Sequence, residues 1–204
     1  MAEVMNGSLK LLGLHVSPFA LRARMALGFK GVPVLIHNGR PISESLVIVQ
    51  YVDEVGAAGT GPDILPADPY DRAIARFWAA YIDDKLFPSW TGVMKAATAE
   101  KLKETYAAVQ NLEKAFSEIS NGKAFFGGDS IGYLDLALGC FLPWFGALHM
   151  MFGVEVIDAA NTPLLAQWAE RFGESAVAKE VLPEPDKAVA YAKKIQAHRA
   201  SLSK

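Results

Sequence analysis

Three short stretches carry residue types that could do chemistry. Ser17 stands between an apolar run, Leu9–Leu14, and a segment that opens Ser17-Pro18-Phe19. Ser is a preferred helix N-cap and Pro suits the first helical position. A hydroxyl there sits beside free N–H groups and the positive end of a helix dipole, and can donate a hydrogen bond to an anion such as a thiolate. A thiol of ordinary pKa near ~8.5 ionises more readily when its anion is stabilised this way. Glu44-Ser45 is the second stretch. N–H groups at a helix start bind carboxylate and a glutamate pairs with ammonium, so together they suit an amino-acid moiety carrying both charges. Val32-Pro33 is the third: a residue before a strand-opening Pro can offer its backbone N–H and C=O to a peptide ligand. Each has a plainer reading as a cap or a turn, and local sequence leaves both open.

Other chemistries lack their signatures. There is no G-x-S-x-G elbow, no G-x-G-x-x-G and no P-loop. His15, His37, His149 and His198 show no triad spacing, and with a single cysteine, Cys140, they form no metal-ligand pair at i, i+3 or i+4. No metal site is expected.

The elements that must position these residues divide the chain. The first third reads as mixed α/β: a strand at Leu9–Leu14, a helix from Phe19 to Lys30, a strand at Val32–His37, the hairpin dipeptide Asn38-Gly39, a return strand at Arg40–Ile42, and a helix from Leu46 to Glu54. Residues 55–68, rich in Gly, Ala, Pro and Asp, read as a linker. Beyond it the periodicity is helical: Ile74, Phe77, Trp78, Tyr81, Ile82 and Leu86, then Leu102, Tyr106, Val109, Leu112 and Phe116. A further helix starts near Gly132 and runs through an apolar stretch. Two more are marked by Leu164–Phe172 and by Pro185–Arg199. The predicted domains are residues 1–54, α/β, and 69–204, all helical. In Gly132-Tyr133-Leu134-Asp135 the carboxylate falls where it can bond back to free N–H groups at a helix start, a structural role.

Composition narrows the function. Half of the 204 residues are apolar (51 %) and 21 % are charged, enough for a sizeable core. A net charge of -2 argues against a nucleic-acid binder, which needs a basic face. One cysteine excludes an intrachain disulfide, and the N-terminus lacks the pattern of a signal peptide, so a cytoplasmic location is expected. Leu136–Val154 is uncharged and approaches the ~20 residues that span a bilayer. Gly139, Pro143 and Gly146 interrupt it and no Lys or Arg flanks it, so it is expected to be buried in a soluble domain rather than in a membrane.

These features together resemble a plant tau-class glutathione S-transferase. The resemblance rests on Ser-Pro-Phe at 17–19, Val-Pro-Val-Leu-Ile-His-Asn-Gly at 32–39, Glu-Ser at 44–45, Arg-Phe-Trp-Ala-Ala-Tyr-Ile-Asp-Asp-Lys at 76–85 and Phe-Phe-Gly-Gly-Asp-Ser-Ile-Gly-Tyr-Leu-Asp at 125–135. It covers nearly the whole chain. It implies a thioredoxin-like N-terminal domain, a helical C-terminal domain, a homodimer, and conjugation of the glutathione thiolate to an electrophilic apolar compound, with glutathione as co-substrate and no other cofactor. Ser17 would stabilise the thiolate, Val32 would hold the tripeptide through its backbone before a cis Pro33, and Glu44 and Ser45 would bind the γ-glutamyl end. The acceptor pocket would be lined by Leu14, His15, Phe19, Phe87, Thr91, Met94, Trp144, Tyr191 and Ile195. Ser rather than Cys at 17 argues against the thiol-transferase relatives.

One departure bears on all of this. Lys30-Gly31-Val32 runs straight into Pro33-Val34-Leu35, where the family carries some two dozen further residues, including a sheet strand and a lysine that contacts glutathione. A first helix antiparallel to the first strand ends at the far side of the sheet from Ser17, and recrossing ~5-residue strands takes roughly 17 Å. Either the helix ends early to free chain for the return, or Val32–His37 takes the missing strand's parallel place and displaces Pro33. The shortened N-terminal domain also raises an alternative, a non-catalytic binder of apolar ligands with a crippled glutathione site.

Overall fold

The computed structural model describes residues 3–5, 9–12, 14–27, 34–56 and 63–202. Four strands form one antiparallel sheet in the order β1 (Glu3–Met5), β2 (Leu9–Leu12), β3 (Val34–His37) and β4 (Arg40–Ser43). The parallel alternative for Val32–His37 does not hold, because Leu12 pairs with Val34 and Leu9 with His37, in antiparallel register. The hairpin at Asn38-Gly39 is as expected: φ is 51° at Asn38 and 77° at Gly39, the doubly positive pair that matches strand twist in a two-residue turn. Strand β1 has no counterpart in the sequence reading. It borders β2 on the side away from β3 and covers what would otherwise be an open edge.

Helix α1 is described over Pro18–Leu27, three residues short of the predicted end at Lys30. Its ten residues rise ~15 Å. The rest of the predicted helix, and the junction at residues 31–33, lie outside the described residues. Helix α2 (Ser45–Glu54) packs on α1 and buries Ile48, Val49 and Val52.

The rest is helical. Asp68 caps α3 (Pro69–Tyr81), accepting from the backbone N–H of Tyr70 at 2.8 Å and of Asp71 at 3.0 Å. The helix continues through a π-helical turn, Ile82–Leu86, into α4 (Phe87–Lys95), and the Phe87 N–H reaches back five residues to the Ile82 carbonyl. Pro88 explains the widened turn: it has no N–H to give to Asp84, and its ring would crowd that carbonyl in a regular helix. Helices α5 (Ala99–Ser120), α6 (Tyr133–Gly139), α7 (Leu142–Phe152), α8 (Pro163–Glu174), α9 (Ala176–Val181) and α10 (Pro185–Leu202) complete the bundle.

The apolar stretch is therefore two helices, not one, broken at Cys140–Phe141 just ahead of Pro143. By length and composition alone it could cross a membrane, yet 72% of it is buried inside the molecule. Asp135 does what its spacing suggested. Fully buried, its carboxylate accepts from the backbone N–H of Phe126 (3.0 Å), Gly127 (2.9 Å) and Gly132 (2.8 Å) and from the Trp168 indole (2.7 Å). Burial pushes its pKa up, and those four donors pull against it.

Candidate functional site

Ser17 ends the turn after β2. Its backbone N–H donates to the Leu14 carbonyl at 3.1 Å, and its own carbonyl accepts the first bond of α1, from Leu21, at 2.9 Å. That makes it the N-cap residue, with Pro18 in the first turn. Among the described residues nothing is hydrogen-bonded to its half-buried hydroxyl, which faces a cleft. The turn is fixed from the other domain: the Trp144 indole on α7 donates to the Val16 carbonyl at 2.9 Å.

The cleft measures about 540 Å³. Leu14, Ser17 and Phe19 form one wall, and Phe87, Thr91, Met94, Trp144, Tyr191 and Ile195 the rest, so eight of the nine expected acceptor residues meet there with Ser17. His15 does not. Its exposed ring lies outside the cleft, with Nδ1 3.4 Å from an Arg24 guanidinium nitrogen. Pro18, Trp90, Lys95, Ala192 and Gln196 complete the lining. On α4, Phe87, Thr91 and Met94 were expected from the resemblance; Lys95 and Gln196 were not singled out.

Glu44 and Ser45 line a smaller cleft of about 320 Å³ with Phe19, Ser43, Leu46 and Asp83. Phe19 belongs to both clefts, so the two adjoin. The capping alternative for Glu44 is not what the geometry shows: Glu44 precedes α2, but its side chain makes no cap bond. Its backbone stands at φ 71°, ψ 117°, a strained conformation for a residue with a side chain, of the kind that persists at functional sites. The free carboxylate and the unpaired N–H groups of the α2 start are then both available to a ligand.

A residue that spacing did not single out ties the second cleft together. Arg22, fully buried on α1, makes a bidentate pair with Asp83 at 2.8 Å for both bonds, donates to the Ser45 hydroxyl at 3.2 Å, and donates to the Ala137 carbonyl at 2.8 Å. Burial disfavours its charge, but the Asp83 carboxylate beside it holds it protonated, above its ordinary value on balance. The π-helical turn carries Asp83 to this point. The available clue was a charge among apolar neighbours in Phe-Ala-Leu-Arg-Ala, three residues from Phe19, over whose ring Arg22 lies at 5.6 Å.

Val32 and Pro33 lie outside the described residues. A groove of similar volume, about 560 Å³, runs by Asp71, Trp78 and Tyr133 and contains none of the candidate residues. No group of three His, Cys, Asp or Glu is placed to hold a metal among the described residues.

Comparison with known proteins decides the family. Models of the glutathione S-transferase C-terminal and N-terminal domains match residues 69–171 and 27–54. The probable glutathione S-transferase GSTU6 of Oryza sativa subsp. japonica is 44% identical over 212 aligned positions, covering 88% of this chain and 90% of the relative. Glutathione S-transferase U17 of Arabidopsis thaliana is 43% identical, covering 93% and 96%. The solved tau-class glutathione S-transferase MiGSTU from mango, Mangifera indica, superposes with a TM-score of 0.85 at 41% identity, covering 93% of this chain and 99% of that one. The chain belongs to the tau class of the glutathione S-transferase family. Rice GST1 (OsGSTU1), solved in complex with glutathione, is 32% identical with a TM-score of 0.79, covering 93% and 98%.

The alignment with the rice GSTU6 protein spans more positions than this chain has residues while covering only part of it, so that relative carries residues absent here. This tau-class chain nonetheless keeps the fold of its class: a small α/β thioredoxin-like domain ahead of a helical one, with glutathione as the family's co-substrate.

Proposed function

We propose that this glutathione S-transferase conjugates the glutathione thiolate to apolar electrophiles, in the cytoplasm and as a homodimer. One observation carries the reading. Ser17, a hydroxyl free of partners at a helix N-terminus, faces an apolar cleft that adjoins the Glu44–Ser45 cleft through Phe19. The smaller cleft suits the γ-glutamyl end, Glu44 for its ammonium group and the α2 start with Ser45 for its carboxylate. The thiol then falls toward Ser17, whose hydroxyl donates to the anion. The acceptor lies against Phe19, Phe87 and Trp144, the sulfur bonds to its electrophilic carbon, and the leaving group departs with its electron pair. The rice relative OsGSTU1, solved in complex with glutathione, supports this over a non-catalytic binder.

For the homodimer, support comes from Tyr70 and Phe77, two large aromatics on α3 that stay exposed, Tyr70 at 72%. Sedimentation is expected to give twice the chain mass, and a monomer at micromolar concentration contradicts it. Calorimetric titration with glutathione tests the site itself. Sub-millimolar binding is expected; an apolar ligand bound without any glutathione binding overturns the proposal.

A further inference from the structure

The acceptor cleft is apolar with one exception that concerns charge. Of its fourteen lining residues, only Lys95 is formally charged. Three other polar groups in the wall are committed: the Thr91 hydroxyl donates to the Phe87 carbonyl at 2.7 Å, the Gln196 amide to the Met94 carbonyl at 3.2 Å, and the Trp144 indole to the Val16 carbonyl at 2.9 Å; the Ser17 and Tyr191 hydroxyls can accept as well as donate. Two groups with no acceptor capacity are left over. Lys95 is exposed, and no described carboxylate pairs with it. The Trp90 indole N–H is enclosed in the core and finds no acceptor among the described residues. An apolar wall whose single charge is a cation with no carboxylate beside it suits a ligand that brings negative charge.

Position fits this as well. Phe87 touches Phe19 beside Ser17, with ring centroids 4.8 Å apart, and Lys95 closes the same helix two turns on. Eight residues of helix rise ~12 Å, and the flexible lysine stem bridges part of that. A planar electrophile with its reactive carbon by Ser17 therefore presents its far end to the ammonium group.

We propose that the acceptor cleft selects electrophiles bearing an anionic group, a carboxylate or sulfonate, opposite the reacting carbon, and that Lys95 is the residue that reads it. This rests on the conjugation reading above and names the substrate class of that site. The plainer role for Lys95, a cation at the α4 C-terminus answering the helix dipole, predicts an effect on stability and none on selectivity.

The test compares 1-chloro-2,6-dinitrobenzene with 4-chloro-3,5-dinitrobenzoate, the same aryl chloride with a carboxylate opposite the chlorine. In both, the glutathione thiolate forms a C–S bond to the ring carbon, the C–Cl bond breaks, and chloride leaves with the bonding pair. The thiol proton has already passed to solvent. The ratio of kcat/KM for the benzoate to that for the benzene is expected to fall about three- to tenfold in Lys95→Gln, mostly through KM. It is expected to fall further in Lys95→Glu, to hold in Lys95→Arg, and to shrink in wild type as salt rises. A ratio unmoved by Lys95→Gln and Lys95→Glu overturns the proposal. If wild type turns over neither compound, the conjugation reading fails separately. Quenching of Trp90 and Trp144 fluorescence by dinitrobenzoate and dinitrobenzene then decides: a preference for the anion that is lost in Lys95→Gln upholds the inference, and equal binding overturns it.

Discussion

Arg22 shows how much one side chain can hold. Its guanidinium joins α1, Ser45, Asp83 and the Ala137 carbonyl, all from a fully buried position. Removing it strands Asp83 against a site with no other described cation paired to it. Arg22→Ala is expected to cost about 3–5 kcal/mol in denaturant unfolding and to raise the KM for glutathione, because Ser45 loses its anchor. Arg22→Lys keeps the charge but not the fork, and should recover only part of both. An unchanged KM in either variant contradicts the positioning role. Nothing in local sequence could show this cluster, since its partners stand 23, 61 and 115 residues away. Ser17 and Glu44-Ser45 were legible because the signal for each is local: a cap residue, a proline, a helix start. His15 came from the family resemblance rather than from a local rule, and its ring lies outside the wall that Leu14 lines.

At the scale of elements, the start of α2 holds the strain. Glu44 sits at φ 71° with its side chain uncommitted to capping. Glycine takes such a conformation without the steric cost, so Glu44→Gly should gain about 1 kcal/mol of stability while weakening glutathione binding. Thermal unfolding and calorimetry on the same samples check it; a loss of stability would mean that the carboxylate was capping after all. The first turn of α6 is the opposite case, a structural carboxylate. Asp135→Ala leaves three backbone N–H groups and an indole without their acceptor and is expected to cost at least ~3 kcal/mol, read by denaturant titration. Both were legible as elements: the Asn38-Gly39 turn and Asp135 follow rules that act over two or three residues. The π-helical turn and the break at Cys140–Phe141 were not. There hydrophobic periodicity runs on across the irregularity, and only the prolines at 88 and 143 hint that the backbone must change.

Across the whole molecule, the two domains meet at a buried charge and a buried thiol. Cys140 is fully covered, and burial, opposed by the Arg22 charge and reinforced by Asp83, leaves its pKa raised from 9.0 to about 12. Between those values the unfolded chain gives up the thiol proton and the folded chain keeps it. Stability from this group is therefore complete below pH 9 and is lost as pH rises toward 12. Unfolding midpoints measured from pH 8 upward should fall more steeply in wild type than in Cys140→Ala, and parallel curves would contradict the assignment. A thiol-specific reagent should likewise label Cys140 only after unfolding. The shortened N-terminal domain is the other feature of this scale. Its length was readable as a deficit, but β1 was not, because three residues are too few for periodicity to reveal, and the junction that would show how the chain returns to β3 lies outside the described residues.

All of this depends on Ser17 acting on glutathione sulfur. The direct measurement is an ultraviolet titration of the thiolate of enzyme-bound glutathione against pH, in wild type and in Ser17→Ala. Wild type should ionise the bound thiol well below its ordinary value near ~8.5, Ser17→Ala should return the midpoint toward that value, and conjugation near neutral pH should drop on the order of a hundredfold. The same midpoint in both proteins would contradict the account at its centre.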